Sequence, residues 1–248
     1  MKPSPEQKNV MAMPNRQAKG FTLVELLVSM LVLLIVSGAV FQQVIKIQKR
    51  ANAESVSLDM NQQAREFVDQ TVRDLHMSGY PSAGMYSNPT DMSMVAAGLV
   101  SISPTQILME GDVDSDGMVQ SVKISYVASD PNDANCPCIR RSAVKKINTS
   151  SLNQPTTPNY TETQFVMPPG TGPGQSGEDL FAYYDQNGNQ INVGNGVDIS
   201  IPATPTTASG QSIISSIKTI KINLSLLGRQ GADRNMTRTS MSATSRLN

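Results

Sequence analysis

The chain has 248 residues, 20 basic and 20 acidic side chains, and no formal net charge. A neutral chain lacks the electrostatic footprint of a nucleic-acid-binding protein, so nucleic acid is not expected among its partners. Trp is absent, there is a single His, and Ser, Thr, Asn, Gly and Pro are plentiful after the first third, which suits a loop-rich β domain better than a large close-packed enzyme core.

Residues 1–20 are polar and net basic, with Lys2, Lys8, Arg16 and Lys19 against Glu6. At Phe21 the character changes to FTLVELLVSMLVLLIVSGAVFQQVIK, running to Lys46, in which Glu25 is the only charge before Lys46 and Pro is absent. At a rise of ~1.5 Å per residue, roughly 20 residues span a hydrocarbon core, so this segment is long enough to cross a membrane. A secretory signal peptide would have a shorter apolar stretch followed by a small-residue cleavage site. A plain anchor fits the length but leaves Glu25 unexplained, because an ionised side chain near the bilayer centre is costly. With Lys46, Lys49 and Arg50 on the far flank, both ends are positive and charge gives little orientation.

Lys19-Gly20-Phe21-Thr22-Leu23-Val24-Glu25-Leu26-Leu27 resembles the prepilin processing motif of type IV pilins and type II secretion pseudopilins. The resemblance is strong over residues 16–50 and diffuse beyond. It implies that a membrane aspartyl peptidase cuts between Gly20 and Phe21 on the cytoplasmic side and that Phe21 is N-methylated. It also implies that Glu25 pairs with the N-terminal amine of a neighbouring subunit. The physical logic agrees. Gly20 has no side chain to obstruct a peptidase cleft. Cutting leaves an ammonium at Phe21 in apolar surroundings, and Glu25 lies about one helical turn along. Opposite charges attract strongly in low dielectric, and either one left unpaired is costly. The alternative is that Glu25 sits at the headgroup boundary. Many major pilins carry a Pro near the end of the apolar run. Here Val40-Phe41-Gln42-Gln43 has none, which leans toward a minor pilin or pseudopilin.

The helical pattern outlasts the apolar run. Met60, Ala64, Phe67, Val68, Thr71, Val72 and Leu75 recur at spacings of three and four, flanked by Asp59, Arg65, Glu66, Asp69 and Arg73. Gly79-Tyr80-Pro81 is the stop. From Ser82 the signals are β and turn. Gln106–Met109 and Val122–Val127 flank the polar tip Asp112–Gly117 as a hairpin, and Ile139–Val144 returns against Ile124–Val127. Phe181–Tyr184 and Gln190–Val193 form a second hairpin around Asn187-Gly188. Ser216–Leu226 alternates as a half-buried strand, and Thr237–Leu247 closes the sheet. Stretches 151–178 and 200–211 read as long loops.

Asp112, Asp114 and Asp116 with Gly117 match the opening of a calcium loop, in which alternate oxygens converge on an ion. The twelfth position, where such a loop needs a bidentate Glu, is Lys123. A charged turn is the competing reading, and Asp185, Asn187 and Asn189 offer a weaker version of the same pattern. Cys136 and Cys138 are the only cysteines. Residues so close bridge only with unusual geometry, although an oxidising compartment favours a disulfide over two loop thiols. Arg140, Arg141, Lys145 and Lys146 read as a solvated basic strand face, with DNA contact as the sharper alternative. His76, near a helix end, suits packing or capping. No nucleophile elbow, phosphate loop or metal triad is present, so the chain reads as the substrate of an enzyme and not as an enzyme.

The expected fold is therefore α+β: a long N-terminal helix packed on an antiparallel β-sheet head. The expected divisions are a leader at 1–20, a transmembrane or filament-core half-helix at 21–45, an amphipathic half at 46–79 and a head at 80–248. The layout and the terminal Arg246-Leu247-Asn248 are similar to the PilW group of minor pilins and to J-type pseudopilins. That resemblance implies as partners the prepilin peptidase, other minor and major pilins met through the helix, and the inner-membrane assembly platform. It implies a single-pass inner-membrane precursor with a periplasmic head that later enters a surface pilus or pseudopilus. No cofactor is expected unless calcium binds at the Asp112 loop. The alternative from a different class is a membrane-anchored binding module or adhesin with an uncut N-terminus.

Overall fold

The computed structural model describes residues 20–86, 92–134, 136–146, 160–170, 175–194, 196–198, 210–229 and 236–247. The chain divides into two compact units, residues 1–50 and 51–248. Helix α1 (Leu23–Met77) contributes to both. No Pro interrupts it, and its start is set by a side-chain cap described below. In the first unit its Leu, Val and Ile side chains are exposed, and the segment is long and apolar enough to cross a membrane. In the second unit α1 becomes amphipathic and buries Met60, Ala64, Phe67, Val68, Thr71, Asp74 and Leu75 as one stripe.

The helix stops where the sequence says it must. Gly79 takes φ +84°, a backbone region that strains any residue with a Cβ. Its amide donates to the Glu110 carbonyl at 2.9 Å, and the Tyr80 amide donates to the Met77 carbonyl at 3.1 Å. The end of α1 is thereby stitched to the first sheet.

The strands are β1 (Gly98–Ile102), β2 (Gln106–Gly111), β3 (Gln120–Val127), β4 (Cys138–Lys145), β5 (Tyr160–Thr163), β6 (Phe181–Tyr184), β7 (Gln190–Ile191) and β8 (Val197–Asp198), followed by a short helix α2 (Gly210–Ser216) and then β9 (Thr219–Arg229) and β10 (Met236–Arg246). They make two antiparallel sheets, a six-stranded one in the order β5-β4-β3-β2-β1-β8 and a four-stranded one in the order β10-β9-β6-β7. Beyond β5 the chain crosses to the second sheet: Val166 bridges Leu226, and the Met167 amide donates to the Ser225 carbonyl at 2.8 Å.

One core joins the α1 stripe to Ile102, Ile107, Met109, Val122 and Ile124 of the first sheet and to Phe181, Tyr183, Ile220, Ile222 and Leu224 of the second. Tyr183 is buried, and its hydroxyl donates to the Ser103 carbonyl at 2.9 Å, so the second sheet is tied to the β1–β2 turn. Burial pushes its phenol far above the ordinary value, which leaves it a neutral donor.

The architecture is the α+β one expected, with a long N-terminal helix and antiparallel sheets, although the head holds two sheets. The β2–β3 and β6–β7 hairpins, the β3–β4 return and the closing strand β10 fall where the sequence pattern puts them. Corrections follow from local chemistry. The expected strand from Ser216 begins at Thr219, because Gly210–Ser216 is helical. Tyr160–Thr163 is a strand inside a stretch read as loop. Only Gln190–Ile191 of the expected 190–193 strand is paired. Residues 151–159 and 200–209, also read as loop, lie outside the described residues.

Candidate functional site

The residues ahead of α1 build the site. Gly20, Phe21 and Thr22 are not helical, and Phe21 is 84% exposed. A Cβ placed on Gly20 would meet nothing within 4 Å. Accessible backbone outside a helix is what a peptidase must grip, and Thr22 marks where it ends. The Glu25 amide donates to Thr22 Oγ1 at 3.3 Å, and the Thr22 amide donates to Glu25 Oε2 at 3.1 Å. The Thr22 hydroxyl donates to the same oxygen at 3.2 Å. This reciprocal pair is a capping box, which satisfies amides that the first helical turn leaves without partners. An acidic side chain there also suits the positive end of the helix dipole. Glu25 is therefore folded back onto Thr22 at the helix start. The sequence reading gave Glu25 a partner on another subunit and missed Thr22, although the T-x-x-E spacing is legible.

Residues 15–41 match the family model of the prokaryotic N-terminal methylation motif. The N-terminus is that of a type IV pilin-like protein. No curated protein and no solved structure matches the chain. The motif and the apolar helix fit a membrane-anchored, single-pass prepilin that is processed by a prepilin peptidase and works among other pilins. Type IV pilin-like chains are structural proteins. Residues 1–19, Lys19 included, lie outside the described residues.

The remaining candidates lie in the second unit. Asp112, Asp114 and Asp116 place carboxylate oxygens within 4.8 Å of one another. Each of the three carboxylates also accepts hydrogen bonds within the loop. Asp112 accepts from the amides of Asp116 and Gly117, both at 3.0 Å, and Asp116 accepts from the Met118 amide at 2.8 Å. Asp114 accepts from Gln120 Nε2 at 2.6 Å. Burial raises the Asp114 carboxyl, and the bonds from Gln120 and the Asp116 amide outweigh it, so its pKa is below the usual carboxylate value. Calcium takes roughly six to eight oxygens, so these three carboxylates would be part of a ligand set completed by carbonyls or water. Within the loop they organise a tight turn. At the β6–β7 turn Asp185 does the same, accepting from the amides of Asn187 and Asn189, both at 2.8 Å.

The basic quartet is neither an exposed patch nor a solvated face. Arg140 Nη1 pairs with Asp130 at 2.6 Å, and its Nη2 pairs with Asp133 at 3.3 Å. Arg141 Nε pairs with Asp74 of α1 at 2.8 Å, and Lys146 Nζ pairs with Glu110 of β2 at 2.7 Å. Only Lys145 is well exposed, with Asp116 at 4.0 Å. Alternation along β4 sends neighbouring side chains to opposite faces, so a run that looks like one patch becomes anchors to three elements. Sequence reasoning missed Asp74 and Glu110, which look like surface acids until their partners are known. His76 is exposed on the last turn of α1. Cys136 and Cys138 are joined by a disulfide, with Cα atoms 4.3 Å apart. Asp133 lies beside them, but sulfurs bonded to each other are not thiolate ligands for a metal.

Proposed function

We propose that the chain is a minor pilin of the PilW type, a structural subunit that primes or joins type IV pilus assembly after cleavage at Gly20–Phe21. The observation that carries the reading is the methylation motif over residues 15–41 set against the start of α1, with Gly20 and Phe21 exposed ahead of the helix and Thr22 capping it. In this reading residues 1–20 are the leader, 21–45 lie in the membrane and then the filament core, 46–79 form the amphipathic half-helix, and 80–248 form the periplasmic head. Glu25 sets the axial register by pairing with the Phe21 ammonium of a neighbouring subunit. The partners are other minor and major pilins and the inner-membrane assembly platform.

The absence of Pro from Leu23 to Met77 and the long head support a minor subunit over a major one. Detection of the processed chain in sheared pili tests the assignment. A minor pilin is expected there in small amounts relative to the major subunit, with fewer pili when its gene is deleted. Absence from pili, with normal piliation and lost protein export on deletion, would instead make the chain a type II secretion pseudopilin.

A further inference from the structure

The Cys136–Cys138 bridge is poorly placed to be a staple. A disulfide stabilises mainly by restricting the unfolded chain, and that effect shrinks with the length of the loop it closes. This loop joins residues only two apart. The folded chain also holds both sides of it without help. Cys138 is registered opposite Val127 in the β3–β4 ladder, and Arg140 clamps Asp130 and Asp133 of the preceding connection at 2.6 and 3.3 Å.

The two sulfurs differ in access. Cys138 opens β4 and is fully buried, whereas Cys136 lies in the connection and is half-buried. The surroundings of Cys136 also suit a released sulfur. Asp133 Oδ2 lies 3.9 Å from its Sγ, an acceptor for a thiol, and Arg140 Nη2 lies 3.9 Å away, a cation beside a thiolate. Asp130 shares that guanidinium, so the cluster as a whole is not a strong activator of the thiolate.

We propose that Cys136–Cys138 is a thiol–disulfide exchange site for a dithiol partner, with Cys136 as the sulfur attacked. A thiolate of the partner bonds to Cys136 Sγ while the Cys136–Cys138 bond breaks. The electron pair leaves on Cys138, which takes a proton equivalent to the one given up by the partner's second thiol. That second thiolate then attacks the partner's sulfur in the mixed disulfide and releases Cys136 beside Arg140 and Asp133, where it takes a proton equivalent to the one the partner lost in forming its first thiolate. The chain gains two electrons and two protons, and the partner ends as a disulfide. Reduction opens the bridge while the Arg140 clamp and the β3–β4 register stay in place.

Dithiothreitol serves as the partner. The full-length protein in detergent is treated without denaturant, alkylated and weighed, with circular dichroism followed in parallel. Both thiols are expected to appear at a rate within about 100-fold of that in the urea-unfolded chain, since access governs exchange, with the fold retained. A bridge that opens more slowly than that in the folded protein, or whose opening abolishes the fold, overturns the proposal. Single-cysteine variants give an independent readout. With oxidised glutathione, Cys138→Ser is expected to form a mixed disulfide at Cys136 at least about ten-fold faster than Cys136→Ser does at Cys138. Equal rates would remove the distinction between the two sulfurs and overturn the assignment of Cys136.

Discussion

Asp74 and Arg141 meet at 2.8 Å although 67 residues separate them in the chain. The Asp74 side chain is 1% exposed and that of Arg141 is 16% exposed, so the pair fixes α1 against β4 inside the head. Gln70 supports it by donating to the other Asp74 oxygen at 2.8 Å. Removing one member strands a buried charge, which costs more than the intact pair contributes. Arg141→Ala is therefore expected to lower stability by about 3 kcal/mol, measured by urea unfolding of the detergent-solubilised protein. A joint replacement of Asp74 and Arg141 by Leu is expected to recover most of that loss, because no charge is left without its partner.

Gly111 is the second tight point in the same region. A Cβ there would collide with the Met77 carbonyl oxygen and lie 2.8 Å from the carbonyl carbon. The obstacle is backbone at the helix end and cannot rotate away. Gly111→Ala is expected to cost about 1–3 kcal/mol through overpacking, read as a lowered melting temperature. The same change at Gly84, where a Cβ would meet nothing within 4 Å, serves as the control.

These anchors show what the sequence could and could not reveal. The stripe from Met60 to Leu75, the stop at Gly79-Tyr80-Pro81 and the Asn187-Gly188 turn are local patterns, and each marks its element. The processing motif is local too, because peptidase recognition and helix capping both read consecutive residues. Arg141 and Lys146 misled because their meaning depends on acids far away in the chain, and Arg140 because its acids lie in the irregular connection before β4. The crossing from β5 to β9 was hidden for a related reason. Val166 pairs with Leu226 through backbone groups, and backbone pairing leaves little mark on side-chain pattern. The helix at Gly210–Ser216 is short and Ser-rich, so its composition resembles the loop before it.

The β3–β4 connection should loosen in acid. The Asn132 amide and the Arg140 side chain hold the Asp130 carboxyl below the usual carboxylate range. A depressed folded-state pKa contributes stability that is present above the ordinary Asp value and is lost as pH falls through the lowered one. Hydrogen exchange in residues 128–134 is therefore expected to accelerate as pH drops below about 4, after correction for intrinsic rates. In Asp130→Asn that acid-dependent part should shrink.

At the helix start, Thr22→Val keeps the shape and removes the hydroxyl that accepts from the Glu25 amide. The cap is worth about 1 kcal/mol, so exchange of the Glu25 amide in detergent is expected to quicken roughly five-fold. Glu25→Ala removes the carboxylate and leaves Gly20 and Phe21 unchanged. It is expected to be cut normally and to enter filaments poorly, as read by comparing processed protein in membranes with that in sheared pili. Wild-type incorporation of that variant would count against Glu25 as the register-setting charge.

The most direct test of the account is the N-terminal mass of the membrane-extracted protein, with and without the prepilin peptidase. The expected result is a mature chain beginning at a methylated Phe21 that appears only when the peptidase is present. A chain beginning at Met1 in both strains would contradict processing at Gly20–Phe21 and would make the apolar segment of α1 a simple membrane anchor.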